Sequence, residues 1–164
     1  MKNFNGIDIL STGVFVREDI DHVLDVAEKF YPVATKQENS KILEGKILGA
    51  LFYEPSTRTR SSFEAAMNRL GGKVISVTSA ETTSLLKGET LYDTGKMMEC
   101  YCDVIAMRHP QKGSVAEVAR GANVPVLNAG DGPGEHPTQA LLDMFTIRKE
   151  RGKIDSLTIA MVGD

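Results

Sequence analysis

Ser56, Thr57, Arg58, Thr59 and Arg60 alternate short hydroxyls with two guanidinium groups, and an apolar helical pattern (Phe63, Ala66, Met67, Leu70) begins just behind them. A helix start offers unpaired backbone N–H groups and about half a positive charge, a combination that favours an anion. Hydroxyls add short donors, and guanidinium forks match pairs of phosphate or carboxylate oxygens. The plainer reading is a capped helix, and Ser61 with Glu64 fits the spacing of a capping box. Capping needs no arginine, however, and a cation at a helix N-terminus costs about 0.3–1 kcal/mol. Arg58 and Arg60 therefore raise the alternative of a built anion pocket, with Arg60 also open to a purely structural pairing.

Three further segments carry similar chemistry. Arg108 lies near the end of the apolar run 103–109, and an arginine ending a buried strand must meet an anion or a carbonyl. A structural ion pair would satisfy it equally. His136 and Gln139 stand three apart at a helix start, hence on one face. The imidazole can donate to a carbonyl oxygen, and the glutamine oxygen can accept from an amide. A structurally satisfied histidine is the plainer alternative, and it suits His22 on the first helix better. Ser84 and Lys87 lie on the polar stretch 80–89, where a solvated loop is the plainer reading. Together these side chains suit holding a phosphate-bearing ligand and polarising a carbonyl, without a covalent intermediate.

The elements that must position them follow from hydrophobic spacing. Ile20, Val23, Leu24, Ala27 and Tyr31 predict a helix over 17–31. Short apolar runs at 46–53, 73–79, 103–109, 124–130 and 156–163 predict strands. Helices are expected over 57–70, 90–102, around 114–122 and from Pro137, which suits a first helical position. Gly71 and Gly72 should end the second helix. Strands separated by helices and apolar on both faces predict an α/β fold: a parallel four-stranded sheet flanked by helices, three-layered and Rossmann-like. In such sheets ligands sit beyond the carboxyl ends of the strands. Segments 54–60, 80–89, 108–112 and 130–139 each follow a strand, and they hold every candidate residue.

Other function classes are disfavoured. A length of 164 residues fits one domain, and 41% hydrophobic with 25% charged residues is ordinary for a soluble one. A net charge of −3 supplies no field for nucleic acid or an anionic membrane, so any anion site is local. Cys100 and Cys102 form neither a disulfide framework nor a zinc motif, and no ligand-spaced histidine cluster exists, so no metal is expected. Gly130 and Gly132 open a dinucleotide-like loop, but Glu135 stands where its third glycine belongs, and no P-loop motif occurs. No cofactor is implied. No apolar run approaches the ~20 residues of a membrane span, and no secretory leader is evident, so a cytoplasmic location is expected.

Read in order, F-x-E-P-S-T-R-T-R (52–60), K-G-E-T-L-Y-D-T (87–94), M-R-H-P (107–110) and N-A-G-D-G-x-x-x-H-P-T-Q (128–139) resemble the transcarbamoylases. The last three resemble the aspartate carbamoyltransferases in particular. The similarity runs from about residue 6 to the end. It implies transfer of the carbamoyl group of carbamoyl phosphate to the amine of L-aspartate, giving N-carbamoyl-L-aspartate and phosphate for pyrimidine biosynthesis. It implies a homotrimer with sites shared between subunits, and leaves open whether a regulatory subunit joins it. By the resemblance, Ser56, Thr57, Arg58 and Thr59 cradle the phosphate, and Thr59, Arg108 and His136 hold the carbamoyl oxygen. Gln139 faces the carbamoyl amide, and Ser84 with Lys87 reaches into a neighbouring subunit's site. Arg58, Thr59, Arg108 and His136 are then the catalytic residues.

Family chains carry two domains of similar size. Residues 1–150 are therefore expected to form the carbamoyl-phosphate-binding domain, and residues 151–164 to begin an aspartate-binding domain that is otherwise absent. Such a piece should bind phosphate or carbamoyl phosphate and show little turnover, with L-aspartate bound only alongside the missing half. The alternatives are a non-catalytic anion-binding or trimerising module, and an ornithine carbamoyltransferase.

Overall fold

In the computed structural model, which describes residues 3–79 and 88–162, strand β1 (Ile47–Phe52) is interior to the sheet. Its side chains alternate between two cores: Leu51 enters one, and Leu48, Ala50 and Phe52 enter the other. Strand β3 (Val104–His109) repeats the pattern, with Ile105 and Met107 opposite Ala106. A period of two with both faces apolar is what a parallel sheet between helices requires. Strands β2 (Lys73–Val77) and β4 (Val126–Asp131) complete the order β2-β1-β3-β4, and every pairing is parallel.

The helices are α1 (Arg17–Ala34), α2 (Thr57–Arg69), α3 (Leu91–Met98), α4 (Ser114–Gly121) and α5 (Pro137–Arg151). Met98 of α3 and Val115, Val118 and Ala119 of α4 cover one face of the sheet. Met67 of α2 covers the other, with Phe63 packed against it. The α1 stripe is present: Leu24 is fully buried, and Tyr31 lies at the exposed margin. Helices α3 and α4 approach until a Cβ on Gly95 would fall 2.3 Å from the Val118 carbonyl oxygen, and one on Gly121 2.1 Å from that of Tyr92. Any larger side chain at either position would part the two helices.

The chain's first described segment joins the sheet margin. Ile9 forms a parallel bridge with Leu127. Its N–H donates to the Val126 oxygen at 2.9 Å, and its carbonyl accepts from the Asn128 N–H at 2.9 Å. Asp8 Oδ1 accepts from the Val126 N–H, and Asn128 Nδ2 donates to the Leu10 oxygen.

Two sequence expectations fail. Helix α3 stops at Met98 instead of running to 102. Tight turns from Cys100 N–H to Met97 and from Tyr101 N–H to Met98 then deliver buried Cys102 against Gly49. The apolar run 156–163 forms no strand over its described residues. Met161 and Val162 stand 91% and 99% exposed, and extended chain becomes a strand only when a neighbour pairs with it. Among the described residues, no helix is long and apolar enough to cross a membrane.

Candidate active site

Parallel register sets the first contact. Phe52 pairs with Arg108, and the Tyr53 N–H donates to the Arg108 oxygen at 2.9 Å. The next residue on the Phe52 side is Glu54, so the Arg108 side chain meets it. Arg108 Nε and Nη2 donate to separate Glu54 oxygens, each at 3.3 Å. Gly130 makes room: its φ is +126°, and a Cβ there would lie 3.1 Å from Arg108 Nη1. The structural ion pair is thus present, and Arg108 also lines a cleft.

Helix α2 begins beyond Pro55 with Ser56 as N-cap, whose side chain makes no capping hydrogen bond. The expected box of Ser61 with Glu64 is not formed, because both residues lie inside the helix. Glu64 Oε1 instead accepts from the Ser76 hydroxyl at 2.8 Å, with Arg60 Nε 3.7 Å away. Arg60 thus meets Glu64 by charge alone, and its buried Nε has no hydrogen-bond partner among the described residues. Arg58 is exposed and has no ion pair among the described residues, and the first turn holds no acidic side chain. The positive end of the helix stays uncompensated. Met67 anchors the helix as expected, and half-buried Phe63 packs behind it. Ala66 does not: it is exposed and lines the cleft, since it lies at the solvent margin of the apolar stripe.

Helix α5 supplies the opposite wall. His136 is its N-cap, and Pro137, the first helical residue, is buried. Thr138 Oγ1 lies 3.3 Å from His136 Nδ1. When that hydroxyl donates, the ring proton sits on Nε2 and leaves a donor. Burial, and then the Arg108 charge, push the His136 imidazole below its ordinary value, with Asp143 opposing them. Gln139 Nε2 donates to Asp143 Oδ1 at 2.9 Å.

The turn before His136 is pinned at several points. Gly132 and Gly134 N–H groups donate to the carbonyls of His109 and Asp131, each at 2.8 Å. Asp131 Oδ2 accepts from the Gly113 N–H at 2.9 Å. Glu135 Oε2 accepts from the Thr12 N–H at 2.6 Å and from its hydroxyl at 2.7 Å. That N–H bond, more than anything else, holds the Glu135 carboxyl below its ordinary range.

These walls enclose a cleft of about 640 Å³. Of the residues expected from sequence, Arg58, Thr59, Arg108, His136 and Gln139 line it. Ser56 and Thr57 sit at the entrance of α2 without lining it. Ser84 and Lys87 lie outside the described residues. Ser62, Thr138 and Leu142 also line it and went unnoticed. Each lies one helical turn or less from an expected residue, and that spacing is the signal that would have found them. The cleft offers donors on two sides and room for a small anion between them.

A cleft framed by an arginine-rich helix start, an arginine closing a parallel strand and a histidine–proline helix entrance defines an α/β domain with a cationic cleft at the carboxyl ends of its strands. The family model for the aspartate/ornithine carbamoyltransferase carbamoyl-P binding domain matches residues 8–149, and the chain belongs to that family. It is 57% identical to the aspartate carbamoyltransferase catalytic subunit of Cellvibrio japonicus, over 99% of this chain and 49% of that one. It is 55% identical to that of Archaeoglobus fulgidus, over 95% and 52%. The chain thus spans about half the length of the curated relatives it matches. Among solved structures, aspartate transcarbamoylase from Trypanosoma cruzi in complex with carbamoyl aspartate and phosphate superposes with a TM-score of 0.91. It is 45% identical, over 98% of this chain and 50% of that one. The catalytic subunit of M. jannaschii aspartate transcarbamoylase gives 0.84 at 47% identity, over 90% and 48%.

Proposed function

We propose that this chain is the carbamoyl-phosphate-binding half of an aspartate carbamoyltransferase. The observation that carries the reading is the meeting of Arg58, Thr59, Arg108, His136 and Gln139 on one cleft at the carboxyl ends of parallel strands. The aspartate enzymes among its relatives favour aspartate over ornithine as the acceptor.

In this reading the phosphate lies on the α2 N-terminus, held by the backbone N–H groups, Arg58 and the hydroxyls of Ser56, Thr57 and Thr59. Thr59, Arg108 and neutral His136 donate to the carbamoyl oxygen. The aspartate amine attacks the carbamoyl carbon, and the developing oxyanion is stabilised by those donors. The carbon–nitrogen bond forms, the carbon–oxygen bond to phosphorus breaks, and the departing phosphate takes up the amine's proton. Fixing both reactants supplies much of the remaining acceleration. Ser84 and Lys87 belong to the same reading as a loop serving a neighbouring subunit's site in a homotrimer, and a cytoplasmic location completes it. Residues 1–150 form the carbamoyl-phosphate domain and 151–164 lead towards the aspartate-binding one, so L-aspartate binds and turns over only with the other half.

Calorimetric titration tests this directly. Carbamoyl phosphate should bind saturably and compete with inorganic phosphate, and Arg58→Ala should weaken both about tenfold or more, as losing hydrogen bonds to a charged group does. Absence of binding by the unaltered chain, with trimers still present by light scattering, would favour a scaffold instead.

A further inference from the structure

Gln139 and Asp143 stand one turn apart on α5, with Gln139 Nε2 2.9 Å from Asp143 Oδ1. An ionised carboxylate only accepts hydrogen bonds, so the amide group facing it must be the NH2. Chemistry thereby fixes an amide orientation that shape alone leaves ambiguous. One of its two N–H donors is engaged, and the amide oxygen is left as the free acceptor of a residue that lines the cleft beside His136.

We propose that Asp143 is a specificity-determining positioning residue. By holding the Gln139 NH2, it presents the amide oxygen to the ligand, and the cleft then selects an acyl phosphate whose acyl group bears an N–H donor. This rests on the proposed carbamoyl-phosphate reading. Carbamoyl and acetyl phosphate are nearly the same size and differ at one group, NH2 against CH3. A free amide would rotate and meet either with little preference. A fixed acceptor facing a methyl is left unsatisfied, and polar sites discriminate by that penalty. A Gln–Asp pair at this spacing also stabilises an exposed helix by about 0.2–0.5 kcal/mol with no ligand involved, so the test must separate the two roles.

The separating measurement is a set of titrations of the chain with carbamoyl phosphate, acetyl phosphate and inorganic phosphate, each paired with a thermal melt. The unaltered chain should prefer carbamoyl over acetyl phosphate about tenfold, or about 1.4 kcal/mol. Asp143→Ala should bring the two within about threefold while inorganic phosphate binding holds steady, since one hydrogen-bond orientation is lost and no phosphate contact is. Asp143→Glu, which keeps a carboxylate, should restore the preference. Asp143→Lys, which can only donate, should turn the amide round and abolish it. An undiminished preference in Asp143→Ala, or a parallel loss for all three ligands, overturns the proposal and leaves only the helix-stabilising role. If the unaltered chain binds carbamoyl and acetyl phosphate equally, the selectivity inference alone falls. If it binds none of the three, the functional reading falls with it.

Discussion

Arg108 and Glu54 meet fork to fork at the carboxyl end of the sheet, both nitrogens 3.3 Å from their oxygens. Charge-assisted pairs of this kind usually close to about 2.7–2.9 Å, so this one is loose enough for another anion to compete. Glu54 thus holds Arg108 at the cleft while neutralising it. Glu54→Gln keeps an acceptor and removes the competing charge. Affinity for carbamoyl phosphate, whose carbamoyl oxygen Arg108 is proposed to hold, should rise about threefold to tenfold, or about 0.7–1.4 kcal/mol, in a calorimetric titration. Weaker binding would show that Glu54 chiefly orients Arg108.

Arg58 and Arg60 should separate cleanly. Arg60 faces Glu64 and lies off the cleft wall, whereas Arg58 lines it. Arg60→Ala should leave phosphate affinity within about twofold and lower stability by about 1 kcal/mol or less, as for a half-exposed pair. Arg58→Lys should retain only part of the affinity, because an ammonium cannot make the forked contact. Equal losses from both positions would put Arg60 in the site.

His136 and His109 are both held below the ordinary imidazole value, chiefly by burial. The unfolded chain therefore binds more protons than the folded one below about pH 6.5. Stability should be level above that pH and fall as pH drops through it, which urea midpoints across pH 5–8 would show. Arg108→Gln should raise the His136 titration point seen by NMR, and Asp143→Asn should lower it. Shifts of the opposite sign would mean that neither charge reaches the ring.

Gly130→Ala places a Cβ at φ +126° and 3.1 Å from Arg108 Nη1. Such backbone strain costs about 1–3 kcal/mol, so the thermal midpoint should drop. Carbamoyl phosphate affinity should drop with it, because Arg108 must leave its place beside Glu54 and with it the carbamoyl oxygen it is proposed to hold. A stable variant with full affinity would show that Arg108 is not placed by this contact.

Strands β1 to β4 and the start of α2 were legible because two-faced apolar runs and a hydroxyl-rich helix entrance are local signals. Glu54 was not, since its role depends on Phe52 pairing with Arg108, a register no single segment encodes. The Ser61–Glu64 box failed for a related reason. Spacing finds a box anywhere, but Pro55 and Ser56 had already fixed where the helix begins. Ala66 shows the limit of an apolar stripe, whose margin can face a cleft as readily as a core. The run 156–163 had strand composition without a neighbour, and composition cannot supply one.

A sheet edge with free N–H and C=O groups is a template on which a foreign strand can grow. Here the two margins are guarded differently. Residues 8–10 lie along β4 and occupy the groups an intruder would need, at the apolar, buried margin where growth would be most damaging. Strand β2 has no such cover among the described residues, and it exposes Lys73 and Ser76 together with Ile75. The first residues of this chain thus act as a built-in stopper against fibrillar addition. Trimming them should be felt as aggregation before it is felt as lost binding.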